Sequence, residues 1–335
     1  MSKYPTINYI GNKKKLSDWI VETMPLKSGK VLDLFAGGCS ISYSLKSKGY
    51  SVISNDILFS NYVISKALIE NNEVVLSAKI FDGINRDREI DTSEFNVDIL
   101  KNKLYFENEV QELSKLLTIS SALDGYERYM FLALLRRAMI RKLPYSRMNV
   151  PWGQIIKLRN EEYSYDKYGR RRAYHNQSFE YHMRSSMDEY NNSVFSNGSA
   201  CSSYNMDAIK LVDKIDEIDI VYLDPPYPST MNNYDAFYGL FDQMMGKHIL
   251  HQDYTKKATF ISSMDDLVGS LIGKTKFIVI SLNNQTQPAP NEIKSMLTKY
   301  GSVKMYEKQH NYQVTGSNNK NNSCELLMIA ELKVP

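Results

Sequence analysis

The chain has 335 residues, 41 Lys and Arg against 38 Asp and Glu, and a formal net charge of +3. With 43% hydrophobic and 24% charged residues it can build a sizeable core, which argues against a disordered chain. Its three cysteines, Cys39, Cys201 and Cys324, are odd in number and far apart, which points away from a disulfide framework and from a zinc site. No apolar run is long enough to cross a bilayer, and the opening Met1-Ser2-Lys3-Tyr4-Pro5 lacks the apolar stretch of a signal peptide. The expectation is a soluble cytoplasmic protein that binds no metal.

A short strand is expected over 6–10, ended by Gly11-Asn12. A helix over 16–24 follows, in which Leu16, Trp19 and Ile20 share a face and Pro25 stops the run. Residues 31–35 read as a buried strand, because they are short, apolar and run into Gly37-Gly38. A helix over 40–48 and a second strand over 51–54, ending at Asn55-Asp56, complete the opening of a parallel doubly wound sheet. Residues 70–110 are weakly patterned. Amphipathic helices are expected over 110–123 and 128–142, the second carrying Arg136, Arg137, Arg141 and Lys142 before Pro144 stops it. Another helix is expected over 179–190. The buried-strand pattern returns at 218–223 and 277–282, and again at 325–330 behind an Asn- and Lys-rich loop at 316–323.

Charge is unevenly placed. Between residues 126 and 184, thirteen Lys and Arg stand against five Asp and Glu, leaving the rest of the chain slightly acidic. Tyr145, Tyr163, Tyr165, Tyr168 and Tyr174 are interleaved with these cations. Cations mixed with aromatics suit a phosphate backbone and stacked bases, although a solvated helix face and a charged loop would have the same composition.

The sharpest local signal is Asp224-Pro225-Pro226-Tyr227, directly after the buried run at 218–223. Two consecutive prolines fix two φ angles and remove two N–H donors, making a stiff turn at the carboxyl end of a strand. Open α/β sheets bind ligands at that edge. The turn offers a carboxylate at Asp224, a free carbonyl at Pro225 and an aromatic face at Tyr227. Methylation of an aromatic amine needs this set. The amine lone pair is delocalised into the ring, and two acceptors drawing on its N–H bonds favour the geometry in which it can attack. The aromatic face would hold an extruded base flat. A second candidate site is Asp33-Leu34-Phe35-Ala36-Gly37-Gly38, with Asp56 at the end of the next strand, placed to accept hydrogen bonds from ribose hydroxyls. The loop lacks the full G-x-G-x-x-G pattern, which disfavours a pyrophosphate cofactor and leaves room for S-adenosylmethionine.

With these motifs the sequence resembles the Dam-type (D12 class, alpha group) adenine-specific DNA methyltransferases over nearly its whole length. Tyr9-Ile10-Gly11-Asn12-Lys13 is similar to the family's N-terminal motif, with Asn in place of a second Gly. There the resemblance implies that Tyr9 and Lys13 lie against the cofactor. It casts Asp33, Phe35, Ala36, Gly37 and Gly38 as the methionine-binding loop and Asp56 as the ribose-binding acid. It also implies that residues 204–207, Asp207 included, approach the cofactor adenine and that Asp224 lies beside the cofactor as well as the target base. Met148-Asn149-Val150-Pro151-Trp152-Gly153 resembles the family segment that closes the DNA-reading insert. Residues 277–284 and Glu325-Leu326-Leu327 resemble its later strands, with Leu282 replacing the usual aromatic.

The resemblance implies a Rossmann-like S-adenosylmethionine-dependent methyltransferase sheet with an inserted helical and hairpin DNA-recognition module. The expected plan is 1–114 as the first part of the catalytic domain with the cofactor motifs, 115–200 as the target-recognition insert, and 201–335 as the second part with the Asp-Pro-Pro-Tyr turn. Asp224, Pro225, Pro226 and Tyr227 are the expected catalytic set. Arg136, Arg137, Arg141, Lys142, Arg147, Arg170, Arg171 and Arg172 are expected at double-stranded DNA, with Arg147 reading bases and Arg170 to Arg172 tracking phosphates. The implied enzyme is a site-specific adenine N6-methyltransferase, acting as a monomer, from a restriction-modification system with a cognate endonuclease or standing alone. Cytosine N4 methylation is the nearest alternative, but such enzymes usually carry Ser where Asp224 stands, and glutamine methyltransferases carry Asn. No cysteine follows a proline, so the nucleophile of cytosine C5 methylation is absent. A DNA-binding regulator with a dead site is the alternative from another class, and the intact Asp224 and Asp56 argue against it.

Overall fold

A computed structural model describes residues 3–83, 93–228, 233–310 and 323–333. Seven strands form one sheet: β1 (Lys30–Asp33), β2 (Ser51–Asn55), β3 (Ser202–Tyr204), β4 (Ile218–Leu223), β5 (Thr275–Asn283), β6 (Gly301–Gln309) and β7 (Cys324–Leu332). Their order is β3-β2-β1-β4-β5-β7-β6. The first five run parallel, and β7 is antiparallel to both of its neighbours. The central strands read as unbroken apolar runs because both faces are covered. Val31, Ile220, Tyr222, Phe277 and Val279 enter one core, while Leu32, Val221, Leu223, Ile278 and Ile280 enter the other. Helices Ser17–Thr23, Ser40–Ser47, Phe59–Ser65 and Tyr234–Met244 pack into the first core. Helices Ala208–Lys214, Phe260–Ser270 and Pro290–Thr298 close the second.

Three expectations of local structure are corrected. Residues 6–10 form no strand, because their donors are used elsewhere. The Thr6 amide and hydroxyl both donate to Glu189, at 2.7 and 2.8 Å, and the Ile10 amide donates to the Tyr238 hydroxyl at 2.8 Å. The insert contains no hairpin. Among the described residues, 115–200 is built of helices Gly125–Arg141, Trp152–Arg159, Glu161–Tyr168 and Phe179–Asn191, with short turns between them. The expected boundary at 115 falls within a further helix, Glu107–Ser121. Finally, β6 has no counterpart among the expected strands. It is an edge strand with seven of its nine residues exposed, and its polar face hides the apolar alternation that marks a strand. Of the loop expected at 316–323, all but Ser323 lies outside the described residues.

Buried charge ties the insert together. Glu109 receives both its oxygens' bonds from Arg159 Nη1 at 2.7 Å, and Lys142 Nζ stands 2.8 Å from the same carboxylate. Burial alone would raise the Glu109 carboxyl, but Arg159 and Lys142 hold it below its ordinary value. Removing the shared anion leaves two buried cations facing each other. Glu109→Gln is therefore expected to cost about 3–5 kcal/mol of stability, read as a lower midpoint in urea unfolding.

Candidate active site and DNA interface

Where β1 and β4 lie side by side, the chain leaves one toward β2 and the other toward β5. Such a switch point opens a crevice at the carboxyl ends of the strands. A cavity of about 320 Å³ lies there. Asp33 ends β1, Asp56 follows β2, Asp207 follows β3, and Asp224 follows β4. Sheet topology thus brings residues 191 positions apart in sequence, Asp33 and Asp224, to one cavity wall.

Asp33 is buried, takes a 2.6 Å bond from the Ser42 hydroxyl on one oxygen, and meets no partner among the described residues on the other. Burial pushes its carboxyl up to about 7, with Asp224 and Asp56 adding to the shift. Asp56 accepts from the Gly37 amide at 2.8 Å and the Leu58 amide at 2.9 Å, and burial raises it too. Each carboxylate oxygen has two acceptor sites, so Asp56 keeps capacity for a ligand hydroxyl. Asp207 caps helix Ala208–Lys214 through the Ile209 and Lys210 amides and accepts from the Gln252 amide at 3.0 Å. Phe35 meets Tyr254 edge to face at 5.3 Å between ring centres.

Gly37 and Gly38 line the cavity and also make room for a neighbouring ring. The Tyr9 ring is stacked against Tyr234 at 5.5 Å and Tyr238 at 5.0 Å, and it lies on Gly37. A Cβ at Gly37 would fall 2.8 Å from the Tyr9 ring, and its φ of +52° is itself unfavourable for a side chain. Both glycines permit the close approach of Tyr9, which forms part of the cavity wall together with Ala36.

Lys13 Nζ donates to both oxygens of Asp224, at 2.9 and 2.8 Å, and stands 3.6 Å from Glu325 at the start of β7. Burial raises the Asp224 carboxyl, Lys13 lowers it, and Glu325 raises it. Pro226 lines the cavity and Pro225 is buried behind it. Tyr227 is not among the lining residues. Its hydroxyl donates to the Ser281 carbonyl at 2.8 Å and its ring meets Phe260 at 5.4 Å, which anchors the turn to β5. Tyr234, Tyr254 and Gln252 line the cavity although no sequence motif marks them, and Glu325 stands behind Lys13. Tyr234 opens a helix that carries no motif. Glu325 lies in a segment that resembles the family, but nothing local marks it as a partner of Lys13.

The insert packs against this site. The Met148 amide donates to the Phe237 carbonyl at 2.7 Å, and the Tyr238 hydroxyl donates to the Ser146 carbonyl at 3.0 Å. Its cations divide. Arg136, expected at DNA, is 1% exposed and lies over the Tyr238 ring. Lys142, also 1% exposed, is held by Glu109, and Arg172 is buried over Tyr168 with a 3.5 Å bond to the Pro144 carbonyl. These three are withdrawn from any duplex in this structure. Arg137 donates to Ser186 at 2.9 Å. Arg141 lies over Tyr174 and Arg147 over Tyr145 and Phe237, each partly exposed. Arg170 and Arg171 are exposed.

A Rossmann-like sheet with acids at the ends of β1 and β2 around a switch-point cavity is the frame of a nucleoside-cofactor enzyme. Comparison with known proteins narrows this. The family model for D12 class N6 adenine-specific DNA methyltransferases matches residues 9–296, and the chain belongs to that family. It is 43% identical to the Type II methyltransferase M2.HphI of Haemophilus parahaemolyticus, over 98% of each chain. It is 27% identical to the modification methylase StsI of Streptococcus sanguinis, covering 88% of this chain and 46% of that one. It is 24% identical to the Type II methyltransferase M.CviAII of Paramecium bursaria Chlorella virus 1, over 91% of each. Membership implies DNA as substrate, N6 of adenine as the methylated atom and S-adenosylmethionine as methyl donor. The cavity fits such a donor. Its buried Asp33 oxygen without a partner and its neighbouring Asp56 suit a molecule bearing an ammonium, a sulfonium and ribose hydroxyls. No helix among the described residues is long and apolar enough to cross a membrane.

The division among cations gives a direct expectation. Arg170→Ala with Arg171→Ala should weaken binding to all duplexes alike and flatten its salt dependence, the slope falling by about one unit for each phosphate no longer neutralised. Arg172→Ala should instead lower the unfolding midpoint. Fluorescence anisotropy at several salt concentrations, alongside urea melts, measures both. An unchanged salt slope in the double variant would return those arginines to plain solvation.

Proposed function

We propose that the protein methylates adenine N6 at a specific sequence in duplex DNA, as the modification enzyme of a Type II restriction-modification system, with Asp224 orienting the target amine. The observation that carries the reading is the Asp224 carboxylate at the carboxyl end of β4, set on the wall of the switch-point cavity that Asp33 and Asp56 also line. The protein would work as a cytoplasmic monomer alongside a cognate endonuclease, in keeping with the Type II names of its relatives.

S-adenosylmethionine supplies, when bound, a methyl group made electrophilic by its sulfonium. Asp33 with Phe35, Ala36, Gly37 and Gly38 would hold the methionine part, Asp56 the ribose, and Asp207 with Tyr254 the adenine end. Tyr9 and Lys13 wall the cavity beside them. Asp224 and the Pro225 carbonyl accept the two N–H bonds of the extruded adenine amine and turn its lone pair toward the methyl. Once the amine nitrogen becomes positive its proton is acidic, so Asp224 or water can take it without a strong base. Tyr227, buried against Phe260 and fixed by its hydroxyl to the Ser281 carbonyl, would hold the turn, and with it Asp224 and the Pro225 carbonyl, at a set place. The base would meet its ring only after the turn shifts on binding. Arg147 lies over Phe237, on the helix that begins at the cavity-lining Tyr234, and is the proposed base reader.

The test is expression in a methylase-free host, followed by nucleoside mass spectrometry and long-read mapping of the modified bases. N6-methyladenine at one defined sequence is expected. N4-methylcytosine would overturn the reading. Asp224→Ala should abolish the product. Tyr227→Phe should keep most activity while losing about 1 kcal/mol of stability with the hydrogen bond to the Ser281 carbonyl, and Tyr227→Ala should lose most activity.

Donor binding should also depend on pH. The Asp33 carboxyl titrates near 7 in the free protein, and a cationic ligand favours its ionised form. Affinity is therefore full above about 7 and weakens as pH falls below it, by up to about tenfold per unit. Calorimetry at pH 6 and pH 8 should show this slope in the wild type and its loss in Asp33→Asn.

A further inference from the structure

Two carboxylates share one ammonium behind the catalytic turn. Lys13 Nζ bonds both oxygens of Asp224 and stands 3.6 Å from Glu325 Oε1. Asp224 lines the cavity, whereas Glu325 is completely buried and does not. The same Glu325 oxygen accepts the Ser281 hydroxyl. Ser281 lies on β5, whose Asn283 pairs with Glu325 in register. The Ser281 carbonyl also takes the Tyr227 hydroxyl at 2.8 Å. One residue therefore fixes both the second acid and the far end of the Asp-Pro-Pro-Tyr turn.

This arrangement sets a problem for the turn. An ammonium bonded to both oxygens of Asp224 draws electron density from the acceptor that the adenine amine must use. Glu325 offers that ammonium a second place, away from the cavity and deeper in the protein. We propose that Glu325 is a positioning residue that draws Lys13 partly off Asp224, so that Asp224 remains a strong acceptor for the incoming amine. Glu325 touches neither base nor donor, and it acts only through Lys13. The proposal rests on the reading of Asp224 as the amine acceptor.

The charges around Asp224 are of both signs. Lys13 from the N-terminal segment faces it, with Glu325 from β7, Asp33 from β1, Tyr222 from β4 and Tyr234 from the following helix. His310, at the end of β6, also feels Lys13 and Glu325. Of these, Lys13 lowers the Asp224 carboxyl and Glu325 raises it. Neutralising Glu325 commits the ammonium to Asp224, which then ionises at lower pH and accepts more weakly. Removing the Ser281 hydroxyl does the reverse, since a Glu325 with one donor fewer pulls harder on Lys13.

The experiment uses the full chain, radiolabelled S-adenosylmethionine and unmethylated genomic DNA, with single-turnover methyl transfer followed from pH 5.5 to 9. Wild type must first yield N6-methyladenine. If it yields none, the reading of Asp224 fails before Glu325 is in question. Glu325→Gln, which keeps the shape and an acceptor for Ser281, should slow transfer about ten- to a hundredfold, with the acid limb of the rate moved to lower pH and donor affinity unchanged. Glu325→Asp should recover part of the rate. Ser281→Ala should move the acid limb to higher pH, and it tests the idea even if Glu325→Gln does not fold. An acid limb unmoved in either variant, or moved the same way in both, would overturn the proposal.

Discussion

Carboxylates crowded together out of water repel one another, and the ligand cavity of this protein is built around that repulsion. Parallel pairing of β1, β2 and β4 in register sets Asp33, Asp56 and Asp224 at the mouths of adjacent strands. Each is managed differently. Asp224 has Lys13, Asp56 has two backbone amides, and Asp33 keeps a proton up to about pH 7. A site left with unspent acidity in this way is suited to a cationic ligand, whose arrival relieves the strain of holding the acids together. The sulfonium and ammonium of the methyl donor are such charges.

The N-terminal segment is what converts a bare sheet edge into a closed wall. Residues 6–10 give up strand pairing, their amides bond side chains of the insert and of helix Tyr234–Met244, and Tyr9 becomes the centre of a three-ring stack. That stack needs Gly37, because any side chain there would collide with the Tyr9 ring. Tyr238 in turn bonds both Ile10 and Ser146, and its ring lies over buried Arg136. The cavity wall, helix Tyr234–Met244 and the insert therefore share side chains, so the insert is joined to the site as one packed body.

The insert shows why charge counts along a sequence overstate a binding surface. Arg136, Lys142, Arg159 and Arg172 belong to the basic stretch, yet all four are buried, packed on aromatic rings or on Glu109. Arginine does this readily, since its guanidinium stacks on rings and is weakly hydrated. What remains at the surface is smaller: Lys157, Lys167, Arg170, Arg171 and Arg184, with partly exposed Arg128, Arg137, Arg141 and Arg147, and with exposed Tyr145, Tyr165, Tyr168 and Tyr174.

The sequence by itself determined the parallel sheet, the buried strands that carry or lead to Asp33, Asp56 and Asp224, and the Asp-Pro-Pro-Tyr turn. Each rests on short-range pattern: apolar runs of strand length, glycines behind them, and prolines that stiffen the backbone whatever surrounds them. The same pattern misses β6, whose exposed residues carry no apolar period, and misreads 6–10, whose donors are taken by residues far along the chain. It names eight cations for DNA but has no means of sorting them. Only the tertiary structure decided that Arg136 faces a tyrosine ring and Arg170 faces water, that Lys13 stands between Asp224 and Glu325, and that Gly37 makes room for Tyr9. The physical reason is that burial and charge pairing depend on which segments meet, and local periodicity records only which face of a segment is apolar.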